Sequence, residues 1–372
     1  MLHTKNTHDN AIFPTVKLRL NGISGLSLKI APQAHKKFFS SPPKPFQNQK
    51  STSNYFKAVS KSKNPLATTP KQFSRQDFTF QLRILITIMK NSIQNTLQSA
   101  VERLKAKNID SPRLDAEILL AHVLNCRRLS LYIDFDKILS LESVLRFNEL
   151  VNQRLNNIPV AYLTGKKDFM GLSFAVNKNV LIPRPDTEIL TEFVGEYLRS
   201  LNKNTIFADL GTGSGAICIS ILKFVKSARA IAVDISSEAL EVAKFNANKF
   251  HVDDRVEFLL GNLFEPIKFK IFDAIVSNPP YIPTCELKTL QSEVKKEPRI
   301  ALEGGADGLN FYRRILNDAP KFLAQNGLLA VEIGINQSKS VKKLFEAANF
   351  ADIEIFKDLA GIERVIAGRK LL

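Results

Sequence analysis

At 372 residues the chain exceeds a usual single domain, so two domains and an appendage are expected. Its formal charge of +16 is uneven: residues 1–88 carry 14 Lys and Arg against Asp9 and Asp77, which leaves residues 89–372 with 38 basic and 34 acidic side chains. So balanced a body does not call for a nucleic-acid polyanion as partner, and three scattered cysteines, Cys126, Cys218 and Cys285, argue against a disulfide framework or a metal site and are expected to be buried apolar residues in a reducing compartment.

Residues 1–88 are rich in Ser, Thr, Asn, Lys and Pro, with "SSPPKP" at 40–45, the composition of a disordered basic extension. The scarcity of acids suits a transit peptide. With only Arg19, Arg75 and Arg83 as arginines, a start assigned upstream of Met89 suits it equally. The apolar stretch Phe78–Met89 is interrupted by Gln81 and Arg83 and is too short to cross a bilayer, so no membrane partner is expected.

From Ile93 apolar residues recur at Leu97, Val101 and Leu104, the spacing of a helix. Ser111-Pro112 reads as the cap and first position of a second helix, and Leu141 to Leu155 as a third. Residues 89–165 are therefore expected to form a small N-terminal helical domain. Between 166 and 185 an alternating pattern broken by Gly171 and Asn177-Lys178-Asn179 predicts a linking β-hairpin.

From 186 onward strands alternate with helices. Strands are predicted at Ile206–Leu210, Arg229–Asp234, Val256–Leu260, Phe272–Ser277 and Leu328–Ile333, then near 352–356 and 364–369; helices are predicted at 215–226, 236–249 and 337–348. The pattern implies an α/β, Rossmann-like, doubly wound and mostly parallel seven-stranded sheet that ends in an antiparallel hairpin, with ligands bound at the C-terminal strand ends.

The first of these strands runs into Asp209-Leu210-Gly211-Thr212-Gly213-Ser214-Gly215. Glycines allow a sharp turn and close backbone approach to a ligand, although a plain strand-to-helix turn needs them too. Asp234 ends the second strand, where it can accept hydrogen bonds from a ribose diol, and Gly261-Asn262-Leu263 follows the third. The turn has no P-loop lysine, and its G-x-G-x-G spacing differs from the dinucleotide G-x-G-x-x-G, so S-adenosylmethionine fits better than a triphosphate or a nicotinamide cofactor. After the fourth strand comes Asn278-Pro279-Pro280-Tyr281. An amide nitrogen is a poor nucleophile because its lone pair is delocalised. A site that accepts both of its N–H bonds, at the Asn278 side-chain oxygen and the Pro279 carbonyl, can turn that lone pair toward a methyl donor while Tyr281 offers a flat face.

These motifs, with "SPRLDAEILLAHVL", "PVAYLTG", "LIPRPDTE", "EPRIAL" and "ERVIAGR", resemble the protein-(glutamine-N5) methyltransferases of peptide chain release factors, the PrmC/HemK family of class I S-adenosylmethionine methyltransferases. The resemblance runs from about Met89, where chains of that family usually begin, to the C-terminus. It implies that Gly211, Thr212, Gly213, Ser214 and Gly215 line the methionine and ribose end of the cofactor, that Asp234 binds the ribose hydroxyls, and that Asn262 and Leu263 meet the adenine. Asn278, Pro279, Pro280 and Tyr281 would hold the glutamine of a Gly-Gly-Gln tripeptide in class I release factors. Relatives often carry an acid at the position of Asn262, whose amide oxygen can still accept from the adenine amine.

Three other readings stand beside this one: a ribosomal-protein glutamine methyltransferase, a nucleic-acid adenine N6 methyltransferase, and a catalytically silent cofactor-binding module. A DNA enzyme would need a basic cleft and a target-recognition domain. Arg184, Asp186 and Glu188 suit either a substrate-facing hinge or a salt-linked helix start, while His122, His251 and Lys295-Lys296 read as ordinary packing or surface residues. The expected state is a soluble monomer, in the cytoplasm if the start is misplaced, or in a mitochondrial matrix or plastid stroma if residues 1–88 are a transit peptide.

Overall fold

The computed structural model describes residues 91–371 together with the backbone of Thr15–Lys17 and Ser27–Lys29, which pair antiparallel. The expectation of a disordered extension over 1–88 otherwise lies outside the described residues.

The helical domain is built as its spacing requires. Helix α1 (Ile93–Ala106) starts at Ser92, whose side chain accepts from the Asn95 N–H at 3.2 Å. Helix α2 (Pro112–Val123) carries proline at its first position, but the Ser111 side chain makes no capping bond. After the short α3 (Ser130–Ile133) comes α4 (Leu141–Leu155), capped by Ser140, and then α5 (Val160–Thr164). Leu97, Leu104, Leu119, Leu120, Phe147 and Val151 are fully buried between α1, α2 and α4; each such side chain contributes roughly 1.5–3 kcal/mol on leaving water.

Strands β1 (Lys166–Phe169) and β2 (Leu172–Ala175) form the linking hairpin. The buried Asn246 side chain exchanges hydrogen bonds with the Ala175 backbone and donates to the Ser214 carbonyl, which ties the hairpin to the glycine turn. Helix α6 (Thr187–Ser200) follows, and its Glu188 accepts from the Met170 N–H at the hairpin turn.

The sheet contains β3 (Thr205–Leu210), β4 (Ala228–Asp234), β5 (Val256–Leu260), β6 (Phe272–Ser277), β7 (Leu323–Glu332), β8 (Phe350–Lys357) and β9 (Glu363–Lys370), in the order β8-β9-β7-β6-β3-β4-β5. The first five are mutually parallel, and β9 pairs antiparallel with both β7 and β8. Alternation along each strand divides the core: Phe207, Ala232, Val276 and Ala330 face α6 and α7 (Ala216–Phe224), whereas Ala208, Val233, Ile275 and Leu329 face α9 (Asn310–Phe322) and α10 (Ser338–Ala347). Helix α8 (Ser237–Lys249) connects β4 to β5. The chain leaves β3 toward β4 and β5, then returns to β6 on the other side, so the ends of β3 and β6 flank the switch point where such sheets bind ligands.

Two expectations are corrected here. Cys218 is buried, but Cys126 and Cys285 are exposed, because they lie in the turn after α2 and in a short turn after the Pro-Pro segment rather than on core faces. The sequence reading places no helix at 310–322, yet α9 forms there with Pro320 inside it; the proline gives up one backbone donor, while Tyr312, Ile315, Leu316 and Ala319 bury one face of the helix.

Arg154 on α4 joins the helical domain to the sheet domain. Only 5% exposed, it donates to Asp115 at 2.7 Å on α2 and to Glu293 at 2.8 Å in the segment after β6. Asp115→Ala would leave the guanidinium buried with a single, partly exposed partner and is expected to cost on the order of 3 kcal/mol. Urea unfolding showing a loss below about 1 kcal/mol would contradict this account of the contact.

Candidate functional site

The parallel strands end together at Leu210, Asp234, Leu260 and Ser277, and the loops beyond them enclose a cavity of about 200 Å³. Of the residues singled out from the sequence, Gly211, Gly213, Asp234, Asn262, Leu263, Asn278, Pro279 and Pro280 line it. Thr212, Ser214, Gly215 and Tyr281 do not line it. A more open groove of about 350 Å³, between Asn177–Asn179 and α8, contains none of them.

The glycine turn divides its labour by position. Gly211 and Gly213 have φ of +75° and +56°, and a Cβ built on either would project into open space. Gly215, at φ +79°, is a packing glycine: its Cβ would lie 2.6 Å from Ile219 Cδ1 and 3.3 Å from the Ala243 methyl. The N–H groups of Gly211 and Thr212 both donate to the Val233 carbonyl, and that of Gly213 donates to Asp234 Oδ2 at 2.8 Å. Three donors that could have cradled a phosphate are thus used internally, so the turn offers a close-packed backbone surface rather than an anion site.

Asp234 is set by its neighbours, since Oδ2 accepts from Gly213 and Oδ1 from the Ser236 N–H at 2.9 Å. Each oxygen keeps a lone pair for a hydroxyl group at the cavity wall. Burial pushes its carboxyl up, and the Ser236 and Gly213 N–H groups oppose that shift. Deeper still lies Asp209, whose Oδ2 accepts from Thr212 Oγ1 at 2.7 Å and from the Cys218 N–H at 3.3 Å. Its Oδ1 is buried without a hydrogen-bond partner, and desolvation raises the carboxyl to about 6.

Leu263 adopts φ +54°, the left-handed conformation, at the end of the third parallel strand beside Asn262. The donor set suits an adenosine-bearing ligand: a carboxylate for the diol, an amide for the base, and a glycine turn with no phosphate cradle.

The segment after β6 is held from several sides. Ser277 Oγ donates to the Leu210 carbonyl, and Pro279 and Pro280 then end the strand because they have no N–H for a ladder. Asn278 Nδ2 donates to Thr187 Oγ1 at 3.2 Å, Thr187 Oγ1 donates to Glu332 Oε2 at 2.5 Å, and the Tyr281 hydroxyl lies 3.4 Å from Glu332 Oε1. Gln337 Nε2 donates to the Tyr281 carbonyl at 2.9 Å. At Gly308 a Cβ would come within 2.3 Å of that same carbonyl, so only glycine permits this approach. The Asn278 side-chain oxygen and the Pro279 carbonyl accept no hydrogen bond among the described residues. Burial raises the Tyr281 phenol, with the Glu332 charge adding to the effect, so the ring stays neutral.

Thr187, Glu332 and Gln337 were not singled out from the sequence. Thr187 belongs to the quoted "RPDTE", so a signal for it exists; Glu332 gains its role from strand register and Gln337 from its place just before α10, and neither carries a signature of its own. Arg184 pairs with Glu297, which also accepts from the Ile182 N–H, and Asp186 pairs with Arg364 at 2.9 Å. The first pair ties the segment before α6 to the loop that carries Pro298 at the cavity, and the second ties the start of α6 to β9. Among the described residues no helix is long and apolar enough to cross a membrane.

Residues 95–165 match the family model for the PrmC N-terminal domain, and residues 201–358 match a methyltransferase domain. The chain is 42% identical to a release factor glutamine methyltransferase of Geobacter sulfurreducens over 72% of this chain and 92% of the relative. A protein of the same description from Moorella thermoacetica is 42% identical over 73% of this chain and 96% of its own length. Among solved structures, the release factor-specific protein-(glutamine-N5) methyltransferase of Alicyclobacillus acidocaldarius is 32% identical, covering 54% of this chain and all of its own, with a TM-score of 0.33.

Asp209 provides a test of the site's electrostatics. Its carboxyl is raised to about 6 from an ordinary 3.8, so the folded state binds this proton more tightly than the unfolded chain. Its contribution to stability therefore falls as pH rises from about 4 to 6 and is constant above, at no more than about 1.4 kcal/mol per pH unit. The melting temperature of Asp209→Asn minus that of the wild type should become more positive between pH 4 and 7; a difference that does not change with pH would contradict the desolvation.

Proposed function

The chain belongs to the release factor glutamine methyltransferase family, and from that premise we propose that it transfers a methyl group from S-adenosylmethionine to the side-chain amide nitrogen of the glutamine in the Gly-Gly-Gln motif of class I release factors. The observation that carries the reading is the pair of free acceptors at the cavity wall. Asn278 uses its NH2 group on Thr187, which leaves Oδ1, and Pro279 contributes a carbonyl with no competing donor beside it. A primary amide has two N–H bonds, and the two acceptors match them.

When bound, S-adenosylmethionine supplies an electrophilic methyl on a sulfonium. Gly211 and Gly213 would give the cofactor a wall without side chains, Asp234 would accept from its ribose hydroxyls, and Asn262 and Leu263 would border the adenine; all of them line the cavity. Holding both N–H bonds of the substrate amide turns the nitrogen out of conjugation and aims its lone pair away from the two acceptors. The new nitrogen–carbon bond would replace the methyl–sulfur bond, whose electron pair stays with the departing neutral thioether; the methylated nitrogen is acidic and its surplus proton passes to water, so no strong base is required. Orientation and electrostatics in an aligned site can supply on the order of 7–11 kcal/mol.

A nucleic-acid substrate fits less well, because residues 89–372 are nearly neutral. A monomer suffices for this reading, since the acceptors and the cofactor wall all come from one chain.

Incubation with a release factor and labelled cofactor, followed by mass spectrometry, should place one methyl group on the Gly-Gly-Gln glutamine; an unmodified glutamine would defeat the proposal. Two variants separate the roles. Asn278→Ala should lower kcat roughly a hundredfold or more while cofactor affinity stays near that of the wild type. Asp234→Ala should instead weaken cofactor binding by about 1.5–3 kcal/mol in calorimetry, the loss expected for hydrogen bonds to a charged acceptor. Unimpaired turnover by Asn278→Ala, or unchanged affinity in Asp234→Ala, would remove the corresponding assignment.

A further inference from the structure

A side-chain amide shows a substrate either an oxygen or an NH2 group, and something must choose between them. Asn278 has few means to choose by itself, because the two ends are nearly the same size. The choice is made two residues away. Ser277 pairs with Val331 in the parallel ladder between β6 and β7, so the next residues, Asn278 and Glu332, lie beside one another at the strand ends. Thr187, at the first position of α6, stands between their side chains.

A threonine hydroxyl has one hydrogen to give. A carboxylate can only accept, so an ionised Glu332 takes that hydrogen at Oε2 and leaves Thr187 Oγ1 as an acceptor toward Asn278. Asn278 must then present Nδ2 to Thr187, and Oδ1 is left for the substrate. We propose that Glu332 is a positioning residue that fixes the polarity of Asn278 through Thr187, presenting an acceptor to the substrate amide only while Glu332 is ionised. The proposal rests on the amide-methylating reading above and adds to it a charge-dependent control.

Protonation reverses the chain of hydrogen bonds. A neutral Glu332 can donate to Thr187, whose hydroxyl then turns its hydrogen toward Asn278; the amide flips, and Nδ2 meets the N–H bonds of the substrate. Donor would face donor, and the lone-pair alignment would be lost. Glu332 is 2% exposed, and burial raises its carboxyl to about 7. Asp186 at the start of α6 raises it further, whereas Thr187, Arg364 on β9 and Tyr281 hold it down. Tyr312 on α9 donates to the Glu332 backbone carbonyl, and Arg364 is itself shared with Asp186 and Asp358.

The test has a kinetic arm and a spectroscopic arm, both on the full chain. For wild type, kcat toward the release factor should rise through an acid limb near pH 7, while cofactor affinity stays flat. Glu332→Gln keeps the shape but can donate or accept at any pH; its kcat at pH 8 should fall at least tenfold, with KM within about twofold of wild type and the acid limb gone. Thr187→Val should lose activity to a similar degree, and Thr187→Ser, which restores the hydroxyl, should recover most of it. Equal activity of the Val and Ser variants, or a wild-type kcat and acid limb in Glu332→Gln, would overturn the proposal.

The second arm needs no substrate. In protein labelled with nitrogen-15 at asparagine, the Asn278 side-chain amide signals should move with pH around 7 in the wild type and stay still in Glu332→Gln. Signals that ignore pH in the wild type, or move equally in both, would overturn the relay. If the wild type leaves the release-factor glutamine unmodified, the amide-methylating reading fails by itself, and the nuclear magnetic resonance result still decides whether Glu332 controls Asn278.

Discussion

The site depends on how β6 ends. This strand is buried along its whole length and flanked by parallel neighbours, so every N–H in it is needed by the ladder until Ser277. Pro279 and Pro280 have none to give, and the chain must leave the sheet at one fixed residue. That residue is Asn278. Because β7 is buried on both faces from Gly327 to Glu332, a slip that would move Asn278 away from Glu332 would also interchange the residues packed into the two core layers. The active geometry is therefore fixed by the same apolar packing that stabilises the domain.

The acids at this edge of the sheet share one physical problem and differ in its solution. Asp209, Asp234 and Glu332 all lie at or near strand ends, where burial opposes their charge. Asp234 offsets the penalty with two backbone N–H bonds and remains in contact with the cavity. Asp209 has Thr212 and Cys218 on one oxygen and nothing on the other. Glu332 collects two hydroxyl hydrogens and faces Arg364, yet Asp186 lies nearby and cancels part of that gain. A group balanced in this way sits close to its own titration point, which makes it a control element more readily than a structural one.

Much of this was legible in the sequence, for identifiable reasons. The buried strands announce themselves as short apolar runs, and the last two were separated correctly because no helical period lies between 357 and 363. Asp234 and Asn278 could be singled out because one ends a strand and the other follows one, where a polar residue has few structural duties. Helix α9 contains Pro320, which argues locally against a helix, and the burial of Tyr312, Ile315, Leu316 and Ala319 against the sheet is what carries it. The relay was hidden for a deeper reason. Thr187 and Glu332 are 145 residues apart, and they meet only because α6 packs across the sheet while β7 lies beside β6. In the glycine turn, the motif gave a single role to five residues, whereas packing gives Gly211 and Gly213 to the cavity and Gly215 to the contact between α7 and α8.

The loop after β6 connects the helical domain to the cavity. Between β6 and α9 the chain passes Glu293, which meets Arg154 of the helical domain, then Glu297, which holds Arg184 and the Ile182 N–H, and then Pro298, Ile300 and Ala301 on the cavity wall. Arg154 is almost fully buried and cannot move toward solvent without giving up Asp115. Any displacement of the helical domain is thereby coupled to Glu293, and through fewer than ten residues of chain to the wall that borders the ligand. A partner that engages the helical domain and presents its own glutamine at Asn278 would act on both ends of this loop. Tyr162 makes a second link, donating to the Val180 carbonyl at the cavity wall, so the helical domain touches the rim of the cavity on two sides.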